Sequence, residues 1–193
     1  MVSVYTKITK PITIITELKI AKKVAADAIQ KIKSIYDKDI GVVSAYGKDI
    51  KTKADQTAHV YIYENLLKTS IPIVSEEGDN DSFDINRRQW IIDPIDGTMN
   101  FSKGFEMSAV SIALWDKGVP ILGVIHHIFS KQVFFSSLHQ NAWLNGRRIS
   151  VSSVKNKNEA VLATGFPSGR NFSKDSLDQF VKNIQEYKKI RML

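Results

Sequence analysis

One segment, WIIDPIDGTMNF at residues 90–101, constrains the fold more than any other part of the sequence. Its apolar first residues predict a buried strand that ends at Asp93. Pro94 biases Asp93 toward an extended conformation and is expected to break the strand. Asp96 follows three residues after Asp93, so both carboxylates can face one point across a tight turn. Carboxylate oxygens at such a point are the ligands that Mg²⁺ prefers.

The second half of the segment predicts a site for an anion. Gly97 permits a backbone conformation that a β-carbon would forbid. Residues 98–101 can begin a helix, and the amides of Gly97 and Thr98 at its start would favour an oxyanion such as phosphate. Asp-Pro and Asp-Gly are also common turn formers, and either dipeptide alone would indicate a turn. Together with SEEG at residues 75–78, the whole segment favours a site for a metal and a phosphate.

Hydrophobic periodicity predicts an α+β fold. Apolar residues three and four apart indicate a helix over 14–36, and a hairpin is expected over 40–50. Asp55 is expected to cap a second helix that runs through Leu67. Strands are predicted over 71–75, 89–93, 107–115, 121–128, 132–136 and 161–164, and a last helix is predicted to open at Ser173. We expect one layered domain over residues 1–193, with a mostly antiparallel sheet flanked by helices.

Composition excludes several classes of function. The chain has no cysteine, which excludes disulfides, thiolate metal sites and a thiol nucleophile. No apolar stretch reaches the roughly 20 residues that span a bilayer, and the N-terminus does not resemble a signal peptide, so we expect a cytoplasmic protein with no membrane partner. The net charge of +7 comes from residues 101–193, with 13 basic and 6 acidic side chains. Without a nucleic-acid-binding motif, this excess does not predict a nucleic-acid partner.

The ordered motifs resemble the inositol monophosphatase family of Mg²⁺-dependent, lithium-sensitive phosphatases. The similarity rests on the segment at 90–101 and on five others: GKDIKTKAD (47–55), IVSEEG (73–78), GFEMSAVSIAL (104–114), LNGRRISVS (144–152) and ATGFP (163–167). The resemblance implies the first half of that family's fold. It also implies Mg²⁺ as cofactor and hydrolysis of a small phosphomonoester by metal-activated water.

The resemblance implies roles for individual residues. Glu76 would be a carboxylate ligand of a first metal, whose coordination the carbonyl of Ile95 would complete. Asp93 would bridge two metals, and Asp96 would bind the second.

Three further residues have implied roles. Gly97 and Thr98 would hold the substrate phosphate through their amides. Asp55 and Thr98 would orient and deprotonate the attacking water. Glu76 therefore belongs, with Asp55 and Thr98, to the expected catalytic set.

Glu77 matches the second acid of the family's Glu-Glu pair. Lys48 and Lys51 could steer an anionic substrate, although a flexible surface loop is the simpler interpretation of both.

The end of the sequence departs from the family pattern. The family continues beyond the segment resembling residues 189–193 with a second domain, which supplies another Asp ligand and contacts to the leaving group. The one Trp-Asp pair here, ending at Asp116, lies on a predicted strand, and we do not transfer that role to it. The expectation is a chain without the C-terminal domain, with a homo-oligomer or a partner chain covering the exposed domain edge.

Inositol monophosphate is the expected substrate, with two phosphatase alternatives and one alternative of another class. Fructose 1,6-bisphosphate and 3′-phosphoadenosine 5′-phosphate also fit the motifs. The different class is a catalytically incomplete relative that binds metal or phosphate, or that assembles with a partner.

Overall fold

The computed structural model describes residues 11–36, 42–46, 49–78, 82–138, 140–165 and 173–192. The chain divides into two compact units, Met1–Ile149 and Ser150–Leu193. Within the described ranges, no helix is long and apolar enough to cross a membrane.

The first unit places two long helices against a mostly antiparallel sheet. Helix α1 spans Pro11–Tyr36, and α2 spans Lys53–Leu67 after a hairpin of β1 (Val42–Tyr46) and β2 (Asp49–Thr52). The strands of the main sheet, seven among the described residues, are β3 (Ile73–Ser75), β4 (Gln89–Asp96), β5 (Ala109–Asp116), β6 (Val119–His127), β7 (Val133–Ser137), β8 (Trp143–Leu144) and β9 (Arg147–Arg148). They neighbour one another in sequence order, and only the β3–β4 pair is parallel among those described. A short helix, α3 (Thr98–Ser102), follows β4.

The core lies between the two long helices and one face of this sheet. Apolar residues of α1 and α2 recur every three or four positions, and β5 buries alternate residues, as half-buried strands do. The buried set includes Leu18, Ala25, Ile32, Ala58, Ile62, Leu66, Trp90, Ile112, Leu114 and Val124. Among the large aromatic residues, Trp90 is buried, whereas Trp115 and Phe134 are only half-buried. The α+β prediction with a mostly antiparallel sheet is thus confirmed.

Two local expectations are wrong, and each has a physical reason. Strand β4 does not stop at Asp93 but continues to Asp96, with an irregular register between the two aspartates. Pro94 is tolerated there because the regular pairing is interrupted at the position where proline lacks an N–H.

The helix-capping residue of α2 also differs from the prediction. Thr52 is the N-cap, and Asp55 lies at the third helical position. The two residues form a reciprocal capping box, in which each side chain bonds to the other's backbone N–H. The N-cap is therefore the threonine three residues before the acid, and the acid completes the capping box.

The second unit contains a parallel strand pair and a helix. Strand β10 (Val161–Thr164) lies at the predicted residues. It pairs with β11 (Lys189–Met192), which the sequence did not predict. A 3₁₀ turn spans Lys157–Glu159. Helix α4 (Lys174–Gln185) begins after Ser173, whose side chain accepts a hydrogen bond from the Ser176 amide. The predicted opening of this helix is confirmed.

Candidate functional site

Three predicted metal ligands lie at the carboxyl ends of β3 and β4. These strands are parallel and pair Ser75 with Ile92, so the residues that follow each strand meet at one edge. The Glu76 amide donates to the Ile92 carbonyl at 3.2 Å, which fixes Glu76 beside Asp93. Glu76 and the charge of Asp96 both act on the Asp93 carboxyl and raise its pKa. The structure therefore brings these three acids together.

Asp93 is the most strongly perturbed acid of the group. Burial, the hydrogen bond with Glu76 and the charges of Glu76 and Asp96 raise its pKa to about 8, against a smaller opposing effect of the Ile95 amide. Its Oδ1 atom is buried and has no hydrogen-bond partner among the described residues. A carboxyl with one oxygen buried in this way is stabilised either by a proton or by a cation.

The donor set fits Mg²⁺. Within the described part of the chain, no three His, Asp or Glu side chains form a ready-made metal cluster. Mg²⁺ needs no such cluster, because it keeps several of its waters and binds proteins through one or two carboxylates. Asp93 and Glu76 supply those hard oxygens, and the unpartnered Oδ1 of Asp93 is an unused acceptor. The carbonyl of Ile95 accepts a hydrogen bond from the Thr98 hydroxyl at 3.0 Å, which leaves it a second lone pair.

The predicted pair of Asp55 and Thr98 is in direct contact. The Thr98 hydroxyl lies 3.0 Å from Asp55 Oδ1, and the other carboxylate oxygen accepts the Thr52 amide at 2.8 Å. Asp55 is buried, and burial raises its pKa, while the hydrogen bonds from Thr52 and Thr98 lower it and the charge of Glu77 raises it further. This arrangement can hold a proton acceptor in a fixed position next to a hydroxyl.

Gly97 forms the turn between β4 and α3. Its φ of 85° lies in the left-handed region, and its carbonyl accepts hydrogen bonds from the Phe101 amide at 2.9 Å and the Ser108 hydroxyl at 3.0 Å. The predicted contact of the Gly97 and Thr98 amides with phosphate stays a prediction. The turn does place both amides at the start of the helix, as that prediction requires.

Sequence reasoning missed two contacts behind the acids. His59 Nδ1 lies 2.8 Å from the Ser75 hydroxyl, and Lys51 Nζ lies 2.8 Å from Glu77 Oε2. The loop interpretation of Lys51 is wrong, since Lys51 lies on β2; Lys48 lies outside the described residues. His59 follows Asp55 by four positions on α2, and this spacing places both side chains on one helix face. That spacing was the indication in the sequence that His59 lies close to Asp55.

Asp116, to which no ligand role was transferred, has a structural partner. Its carboxylate pairs with Arg88, which also binds both carboxylate oxygens of Glu17 at 2.8 Å. Of the motifs that carry the family resemblance, residues 47–48 and 166–167 lie outside the described residues.

Comparisons with known proteins agree with the motifs. Residues 16–192 match the sequence profile of the inositol monophosphatase family. The inositol-1-monophosphatase of Synechocystis sp. is 32% identical over 175 residues, which cover 88% of this chain and 60% of that protein. The Nus factor SuhB of Escherichia coli K12 is 34% identical over 156 residues, covering 78% of this chain and 58% of that protein. The solved structure of the Thermotoga maritima IMPase covers 92% of this chain and 68% of its own, with a TM-score of 0.77 and 29% identity.

The matches also show how much of each relative this chain spans. The chain spans about 60% of the length of the two curated relatives. Within that span, the family profile covers both the carboxyl ends of β3 and β4 and the residues of the Asp55–Thr98 contact. Sequence profile, fold and motif order agree, and the chain belongs to the inositol monophosphatase family.

Proposed function

We propose that this chain forms the metal- and phosphate-binding part of a Mg²⁺-dependent phosphatase that hydrolyses a small phosphomonoester. The observation that carries the proposal is the state of Asp93. Its carboxyl is half-buried and has a raised pKa beside Glu76 and Asp96, and its buried Oδ1 atom has no hydrogen-bond partner among the described residues. Such a carboxyl is a poor structural element and a good metal ligand.

Glu76, Asp93 and the Ile95 carbonyl would hold one metal, and Asp93 with Asp96 would hold a second. When bound, Mg²⁺ supplies a more acidic water and neutralises charge on the phosphate. Carboxylates repel a phosphate unless a cation lies between them, so these acids would position the phosphate only by holding the metal. The Gly97 and Thr98 amides at the start of α3 would orient the phosphate oxygens.

Asp55 and Thr98 would accept the proton of the attacking water. The Thr98 hydroxyl has one proton and two acceptors at 3.0 Å, Asp55 Oδ1 and the Ile95 carbonyl. When the hydroxyl donates to Asp55, its oxygen can accept a proton from water. The raised pKa of Asp55, which burial causes, makes this carboxylate a stronger base than an exposed aspartate.

Inositol monophosphate is the proposed substrate, supported by the name of the Synechocystis relative and by the motifs. Fructose 1,6-bisphosphate and 3′-phosphoadenosine 5′-phosphate are the alternatives, because the same acids and amides would bind any phosphomonoester. Lithium sensitivity and a cytoplasmic location are part of the same proposal.

The test is release of inorganic phosphate from these three substrates, with and without Mg²⁺. Asp93→Asn removes the charge of the central acid, and Asp84→Asn is the matched control because Asp84 is exposed. We expect Mg²⁺-dependent release by the parent and the control, and a loss of at least about 100-fold in Asp93→Asn. The rates for the three substrates then rank them.

A second candidate function is assembly with a partner, without catalysis by this chain alone. The E. coli relative is named a Nus factor, and this chain spans 58% of that relative. Folded protein that binds Mg²⁺ but releases no phosphate from any of the three substrates would favour this candidate over the phosphatase.

A further inference from the structure

Two contacts connect the turn that carries Glu76 to strand β2 and to α2, the helix that carries Asp55. This turn, residues 75–78, closes with the Gly78 amide on the Ser75 carbonyl at 3.1 Å and the Glu77 amide on the Ser75 hydroxyl at 3.3 Å. The Ser75 hydroxyl also contacts His59 on α2, and Glu77 pairs with Lys51 on β2.

Lys51 is well placed to act on this turn. It directly precedes Thr52, whose capping box with Asp55 fixes the junction of β2 and α2. Its partner Glu77 is largely buried, with 12% of its side chain exposed, while 45% of the Lys51 side chain is exposed. A largely buried carboxylate with a nearby cation is restricted in position by that cation.

The charge of Glu77 also reaches the neighbouring groups. Burial raises the pKa of Asp55 and lowers that of His59; the charge of Glu77 acts upward on both pKa values, and Lys51 opposes it at His59. An unpaired Glu77 would therefore add negative charge beside Asp55 and could leave its present position.

We infer that Lys51 is a positioning residue, which acts through its ion pair with Glu77 to hold the turn that presents Glu76 to Asp93. The inference rests on the proposed function for its consequence, metal binding, but not for the contact itself. Because Lys51 is partly exposed, this pair adds little to global stability. Its effect is local to residues 75–78.

The design breaks the same ion pair in two ways with opposite changes of charge. Lys51→Met removes a positive charge and Glu77→Gln removes a negative one. If the pair positions the turn, both variants weaken Mn²⁺ binding, by about tenfold, as do other losses of groups that orient a metal ligand. If only the local electric field matters, the two variants shift Mn²⁺ affinity in opposite directions.

The measurements are made on the full chain. Amide hydrogen exchange of residues 76–78, in EDTA, reports the turn without any metal, and Mn²⁺ titration followed by electron paramagnetic resonance reports affinity. We expect faster exchange and weaker Mn²⁺ binding in both single variants, no further loss in the double variant, and recovery in Lys51→Arg. Lys19→Met, an exposed lysine on α1, is the control, and melting temperatures in EDTA should stay close to the parent value.

Either of two results overturns the inference: unchanged exchange in both single variants, or opposite shifts in their Mn²⁺ affinity. Failure of the proposed function is a separate result. If the parent binds no Mn²⁺ and releases no phosphate, the phosphatase proposal fails, and the exchange data alone still decide whether Lys51 holds the turn.

Discussion

At the scale of single residues, Gly97 shows how strictly the candidate site specifies one side chain. A β-carbon on Gly97 would lie 2.7 Å from the Met107 carbonyl oxygen, and the φ of 85° is itself unfavourable for other residues. Gly118 has nearly the same φ, 84°, but a β-carbon there would have no atom of the described residues within 4 Å beyond its chain neighbours. The pair therefore separates backbone strain from steric clash.

We expect Gly97→Ala to lower the free energy of unfolding by about 3 kcal/mol and Gly118→Ala by about 1 kcal/mol. Both variants carry the strain of a positive φ, and only the first also meets a backbone oxygen. Urea unfolding of the two variants and the parent measures the difference. Equal losses in the two variants would show that the contact with Met107 has no cost.

A half-buried histidine gives a prediction for pH. Burial lowers the pKa of His126, with smaller contributions from Lys33 and His127, and its Nδ1 atom is buried without a partner among the described residues. Since the folded pKa lies below the unfolded value of about 6.5, the unfolded chain binds more protons in this range. Stability is therefore lost as pH falls through the unfolded pKa.

The check is the free energy of unfolding of the parent and of His126→Gln at pH 7.5 and pH 5.5, both in EDTA. Other groups titrate in both proteins, so only the difference between them reports His126. We expect the parent to lose more stability on acidification than the variant. Identical losses would mean that His126 is as easily protonated in the folded chain as in the unfolded one.

The sequence predicted some of the site residues better than others. Asp93 and Asp96 were predicted to lie together because they are three residues apart in one short motif, and Glu76 was placed with them by the family resemblance; the structure has both Glu76 and Asp96 acting on Asp93. Lys51 could not be predicted in the same way. Its partner Glu77 is 26 positions away, and the contact depends on how the β1–β2 hairpin meets the β3 turn.

At the scale of elements, the capping box at the start of α2 links helix stability to the site. Thr52 and Asp55 are both buried and satisfy each other's backbone N–H groups, while the second oxygen of Asp55 contacts Thr98. Loss of the cap thus leaves a buried carboxylate with fewer donors. This is a greater cost than the loss of a cap at an exposed helix end.

We expect Thr52→Ala to lower the free energy of unfolding by about 2 kcal/mol, the upper part of the range for N-cap substitutions. Ser173→Ala, at the exposed N-cap of α4, is the control and should cost about 0.5 kcal/mol. Chemical unfolding measures both. A Thr52→Ala protein as stable as the control would contradict a structural role for the buried capping box.

Element prediction succeeded where the periodic pattern was long. Helix α1 follows a period of 3.6 and strand β5 a period of 2, and the structure has both close to the predicted residues. The two-residue strands β8 and β9 are too short for any period to show. Strand β11 was missed because four residues, Lys189–Met192, become a strand only by pairing with β10, which lies more than 20 residues earlier.

At the scale of the whole molecule, one cation connects three distant parts of the first unit. Arg88, just before β4, binds Glu17 of α1 and Asp116 at the end of β5. Both carboxylates are buried, with 6% and 4% of their surfaces exposed. Removing the cation leaves two buried carboxylates without it, which is far more costly than losing a surface ion pair.

We expect Arg88→Met to lower the free energy of unfolding by about 3 kcal/mol. The neighbouring Arg87→Met is the matched control, because Arg87 is exposed, and its cost should stay below about 0.5 kcal/mol. Thermal and urea unfolding of the two variants give the comparison. Similar stabilities would show that this network does not hold α1 to the sheet.

The proposed function requires that the acids at the ends of β3 and β4 form a site for a divalent cation. Calorimetric titration of the chain with Mg²⁺ measures this binding, with Asp93→Asn as the site variant and Asp84→Asn as the control. We expect binding by the parent and the control, and none by Asp93→Asn at the same concentrations. Equal binding by all three proteins, or no binding by the folded parent, would contradict it.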